Sequence, residues 1–170
     1  MTSTQKKSAF VTVVNILIFL LLMLFNSTDI ISIAIGGANP FIPLSFLVAF
    51  CMFYEEIPSV LAGLLVGTLL DGFSATPMCF NSIVFMLIGL FTAVTVRYFF
   101  NNNIRSAIAL CIICSLFYFT ARWVFTYMFS ASQAESLIYL FRYDFPSAVY
   151  TTVFIVPFYY LERLINKKSN

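Results

Sequence analysis

The chain has 170 residues, 61% of them hydrophobic and 9% charged, with a formal net charge of +2 and no histidine. Soluble domains run about 45–50% apolar and about 25% charged, so a water-soluble fold of this length could not cover its apolar surface, and a polytopic membrane protein is expected. The small net charge supplies no basic surface for nucleic acid, and the lack of His argues against His-based acid–base chemistry or a His metal site.

A helix needs about 20 residues to cross about 30 Å of hydrocarbon. The first predicted span covers residues 10–25. It follows Lys6 and Lys7 in the manner of a signal peptide, but no small-residue cleavage site follows, so a retained helix is expected. The text from 30 to 54 is apolar but broken by Gly36, Gly37, Asn39, Pro40 and Pro43, which puts the second span at 40–54, with Pro in its first turn. Glu55 and Glu56 mark a solvated turn, and Pro58 opens the third span, 58–70.

That third span carries Gly63, Gly67 and Asp71 at four-residue spacing, hence on one face. Small residues at this spacing let helix backbones approach closely in lipid. A carboxylate near the hydrocarbon calls for hydration or a partner. Gly72 then suits a helix stop, with Pro77 in the turn beyond. Arg122, at similar depth in a later span, is the expected ion-pair partner of Asp71, and Asp144 is a second candidate for Arg122.

The fourth span is 80–96, with Asn81 at its start; the fifth is 106–128 and the sixth 147–161. Asn15 in the first span and Asn81 could bridge helices or line a cavity. Cys111 and Cys114 form a C-x-x-C, but inside an apolar span they read as small buried residues. Between the last two spans, Ser132 and Glu135 match a capping box, and residues 133–143 are expected as a short helix on the outer surface. With the N-terminus inside, the inner segments hold Lys6, Lys7, Arg97, Arg105, Arg163, Lys167 and Lys168, and the outer ones hold Arg142. This bias requires an even number of crossings. The expectation is one polytopic domain over 1–170: an all-α integral membrane bundle of six transmembrane helices, both termini cytoplasmic. Tyr98, Tyr159 and Tyr160 would anchor its inner interface, Trp123 and Tyr127 its outer one.

The run GLLVGTLLDGFSATPMCFNSIVFMLIGL, residues 63–90, resembles the signature region of the MreD family, bacterial rod shape-determining membrane proteins. That family reads as a Gly-rich helix ending in Asp, a short polar turn with a small residue or Pro, and another apolar helix. The matching positions here are Gly63, Gly67, Asp71, Ser74 and Pro77, and many members carry Gly where this chain has Met78-Cys79. The resemblance implies a fold similar to the substrate-binding membrane subunit of energy-coupling-factor transporters. It implies a non-enzymatic scaffold role in cell-wall elongation, in the bacterial cytoplasmic (inner) membrane. The implied partners are an MreC-like single-span protein and, through the complex, RodA, a class B penicillin-binding protein and MreB. No cofactor or metal is implied. The alternative reading is the membrane subunit of a vitamin or metal transporter, to which the polar residues within the spans would contribute. A membrane enzyme is the weakest reading, since no nucleophile or phosphate-binding motif is visible.

Overall fold

Long apolar stretches must satisfy their own backbone in lipid, and helices do so. A computed structural model describes residues 3–27, 40–73, 79–100, 102–127, 142 and 144–169, and the secondary structure among these is helical throughout. The helices are α1 (Ser3–Ser27), α2 (Ile42–Cys51), α3 (Glu56–Phe73), α4 (Phe80–Tyr98), α5 (Ile104–Tyr127), α6 (Phe145–Val153) and α7 (Ile155–Ser169). Among the described residues, four stretches are long and apolar enough to cross a membrane: α3, α4, α5 and the run from Phe145 to Lys167 formed by α6 and α7. The protein is thus all-helical with the makings of a multi-pass membrane protein. The expected outer helix at 133–143 apart from Arg142, the first half of the Gly36–Pro43 break, Ser74 and Pro77 lie outside the described residues.

The second expected span is corrected. α2 has 10 residues rather than the fifteen of 40–54, about 15 Å at 1.5 Å per residue, half the hydrocarbon thickness. Pro43 sits in its first turn. At its other end, Met52 and Phe53 donate to the carbonyls three residues back, those of Ala49 and Phe50, and the chain turns away. Every residue from Pro43 to Cys51 is buried. A helix apolar on all sides belongs inside a bundle, and α2 packs against all six other helices. Its entry is fixed by Thr151 of α6: the Phe41 N–H donates to Thr151 Oγ1 at 2.9 Å, and Ser45 Oγ donates to the Thr151 carbonyl at 2.6 Å.

The last span is two helices because of Pro157. Proline has no N–H to offer the carbonyl of Val153 four residues earlier. The ladder breaks there: the Phe154 N–H reaches back only to Thr151.

α3 and α4 form the tightest pair, at the glycines. A Cβ at Gly63 would collide with the Phe85 carbonyl oxygen, and one at Gly67 would collide with Ser82 Cα and lie 2.6 Å from the Asn81 carbonyl oxygen. From the other side, a Cβ at Gly89 would lie 2.5 Å from the Ser59 carbonyl oxygen. The obstacles are backbone atoms, so relief requires the helices to separate. Gly72, by contrast, has open space within 4 Å. Gly67→Ala is therefore expected to lower stability by about 1–3 kcal/mol, as overpacking does, while Gly72→Ala leaves it unchanged or slightly raised. Thermal unfolding of the two variants in detergent checks the contrast.

Candidate functional site

α3 ends beside the start of α4, and Asp71 closes the junction. Its Oδ1 accepts the Asn81 N–H at 3.0 Å; its Oδ2 accepts the Ser82 N–H at 2.9 Å and the Ser82 hydroxyl at 2.5 Å. Asn81 and Ser82 are the second and third residues of α4, whose backbone N–H groups have no intrahelical acceptor. A capping side chain usually comes from the residue just before the helix. Here that residue is Cys79, whose side chain makes no capping bond and whose φ is +52°. Asp71 supplies the cap from the neighbouring helix, and its negative charge faces the positive end of the α4 dipole. The glycine stripe makes this possible by bringing the two backbones together.

This corrects the expected Asp71–Arg122 ion pair. Arg97 pairs with Glu56 at the far end of the α3–α4 hairpin, the Arg97 side chain exposed and that of Glu56 partly so. Glu56, expected to be merely solvated, is thereby tied to α4. Arg122 is exposed on α5 and lies within electrostatic reach of Tyr118 and Asp144. Burial pushes the Asp144 carboxyl above the ordinary range, and Arg122 opposes the shift. The Arg122–Asp144 half of the expectation thus has an electrostatic counterpart without a direct bridge.

Tyr118 joins these groups. Its hydroxyl donates to Asn81 Oδ1 at 3.1 Å, and both residues are buried. Its ring stacks on Phe41 at 5.0 Å and meets Phe85 edge-on at 5.3 Å. Asn81 therefore bridges helices, as its position inside an apolar segment suggests.

At the opposite end a second polar group lies among α1, the α2–α3 turn and α7. Asn15 Nδ2 donates to Tyr54 Oη at 2.8 Å. Tyr54 is in turn within interaction range of Glu162 and Asn166. Asn166 Nδ2 donates to the Glu162 carbonyl at 3.0 Å and reaches Glu162 Oε2 at 3.5 Å. Glu162 has no exposed surface and Asn15 only 2%. Glu162 was hidden in the sequence because it reads as the start of the basic tail. The available signal was periodicity: Ile155, Tyr159 and Glu162 recur on one face, and all three are buried.

Cys111 and Cys114 are free and buried; Cys111 Sγ lies 4.0 Å from Ser45 Oγ, and Cys114 Sγ lies 3.5 Å from Thr92 Oγ1. They pack as small side chains. Among the described residues, no three His, Cys, Asp or Glu side chains gather as metal ligands. What the arrangement accomplishes is the locking of two helices.

Asp71→Ala is expected to cost about 2 kcal/mol, the scale of a lost charged cap, and Asp71→Asn less. The Asp71→Ala effect should persist in an Arg122→Gln background, which a double-mutant cycle on unfolding measures. Cys79→Gly should raise stability by about 0.5–1 kcal/mol by relieving the left-handed backbone. Comparison of the chain with protein-family models, curated proteins and solved structures returns no match.

Proposed function

We propose that the protein is a non-enzymatic membrane scaffold of the MreD type, acting in bacterial cell-wall elongation by binding an MreC-like single-span partner. The observation that carries this reading is the use made of the 63–90 run. Gly63, Gly67, Gly89 and Asp71 are all spent on fastening α3 to α4. Gly63, Gly67 and Asp71, three of the positions on which the resemblance rests, thus serve helix packing, which suits a protein that presents rigid helix faces to others.

The surface supports the same reading. Val13, Leu17, Leu20 and Leu24 are exposed along one side of α1, with Ile16 and Leu21 flanking them. This is a stripe at helical spacing, of the width one crossing helix covers. The bacterial inner membrane is the proposed location, with both termini cytoplasmic. Arg97, Arg105, Arg163 and Lys167 support that orientation, since they lie at the end of α4, the start of α5 and the end of α7, on one side of the bundle. RodA, a class B penicillin-binding protein and MreB belong to the proposal as members of the same complex. The fold proposed for the bundle is that of the substrate-binding subunit of energy-coupling-factor transporters.

The test is capture from native membranes with a photo-crosslinking residue at Leu17, and at buried Met23 as control. A covalent adduct with a single-span wall-synthesis protein from Leu17 alone is the expected result. Co-purification with ATPase subunits and a bound small molecule, without such a partner, would overturn the reading in favour of a transporter subunit.

A further inference from the structure

Two buried side-chain oxygens among the described residues accept no hydrogen bond: Asn15 Oδ1 and Glu162 Oε1. Both belong to the one polar group formed by Asn15, Tyr54, Glu162 and Asn166. Asn15 spends its Nδ2 on Tyr54, and Asn166 spends its Nδ2 on the Glu162 backbone and Oε2. None of these bonds reaches the two leftover acceptors, although the Tyr54 hydroxyl keeps a proton of its own to give. Neither Arg163 nor Lys167, its neighbours in α7, pairs with Glu162. A buried acceptor without a donor is costly, and a buried carboxylate without a counter-charge far more so.

The chemistry of the leftover atoms narrows what would satisfy them. Both are oxygens, one of a carboxylate and one of a carboxamide, and the Tyr54 phenol oxygen lies beside that carboxamide. Oxygen-only sets suit hard cations. With a single carboxylate, the charge is balanced by one positive charge, whereas divalent sites draw on more acidic ligands or on phosphate. The three residues come from separate segments, Asn15 from α1, Tyr54 from the α2–α3 turn and Glu162 from α7, with Asn15 bonded to Tyr54 and Glu162 within electrostatic reach of Tyr54. A ligand there would tie three segments that are distant in sequence.

We propose that Asn15 Oδ1, Tyr54 Oη and Glu162 Oε1 form a binding site for a monovalent metal cation of sodium type. The cation neutralises Glu162 inside the bundle and clamps α1 and α7 to the end of α2. The proposal is independent of the scaffold role.

The experiment is thermal unfolding of the purified full chain in detergent, with sodium chloride replacing choline chloride at constant ionic strength. The expected result is a saturable rise of about 5–10 °C at a hundredfold excess over the dissociation constant. Glu162→Gln keeps the shape and removes the charge; it should lose the sodium response and be at least as stable as wild type in choline. Tyr54→Phe removes one oxygen and keeps the ring stacked on Phe50; its half-saturating sodium concentration should rise about tenfold. Tyr54→Phe also decides the comparison if Glu162→Gln does not accumulate. A wild type indifferent to sodium, lithium and potassium relative to choline would overturn the proposal and leave Glu162 a protonated buried acid. An equal sodium response in wild type and Glu162→Gln, or an unshifted half-saturation in Tyr54→Phe, would also overturn it.

Discussion

The hydrogen bonds from the first turn of α4 to Asp71 are the contact on which the rest of the arrangement depends. Each side of it would be expensive alone. Free N–H groups at a helix start have no water to bond in or near hydrocarbon, and an isolated carboxylate there is worse. Joined at 2.9–3.0 Å, they satisfy one another. The geometry demands glycine, because a Cβ at Gly63 or Gly67 would meet the backbone of α4. The spacing of Gly63, Gly67 and Asp71 is therefore one device: two positions for approach and a third that uses it. From there the order extends inward. The start of α4 fixes Asn81, Asn81 takes the Tyr118 hydroxyl, and Tyr118 stacks on Phe41 at the mouth of α2.

A half-length helix at the centre of a bundle raises a second accounting problem, since both of its ends lie within the protein. The structure answers with side chains from other segments. Thr151 accepts the Phe41 N–H at the first end, and Asn102 Nδ2 donates to the Met52 carbonyl at 3.0 Å at the second. Asn102 is itself held through its carbonyl by Tyr159 at 3.1 Å. The break between α6 and α7 at Pro157 belongs to the same economy, because two short helices can present Thr151 and Tyr159 to opposite ends of α2.

The sequence made the helix-rich membrane character, the glycine face and the isolated polar residues legible, because each is a matter of period or composition. Asn15 and Asn81 stand out as amides in apolar text, and both are buried and bonded. The partner of Asp71 was not legible. Sequence displays charged side chains, which made Arg122 the natural candidate, whereas the actual partners are backbone N–H groups that every residue possesses. The length of α2 was hidden for a related reason: Met52 and Phe53 are as apolar as what precedes them, so hydropathy runs past the point where the helix stops. Glu162 was concealed by its neighbours, since a carboxylate just before Arg163, Lys167 and Lys168 reads as part of a solvated tail.

The two ends of the bundle solve the burial of polar groups differently, and the difference bears on what each end can do. Near Asp71, the carboxylate oxygens, the Ser82 hydroxyl and the first N–H groups of α4 are engaged with one another. An end so saturated gains rigidity and has little left with which to recognise a polar ligand. Near Glu162, two buried acceptors remain without a bond. Stability alone does not select such an arrangement, because an apolar side chain at either position would remove the cost. The imbalance is instead what a site for a positive charge requires: oxygens held in place by their neighbours, with the bonding capacity of the charge-bearing group kept in reserve. A protein whose mass lies almost entirely in helices can thus keep one end as a fixed frame and reserve the other for an ion, with α2 between them carrying the connection.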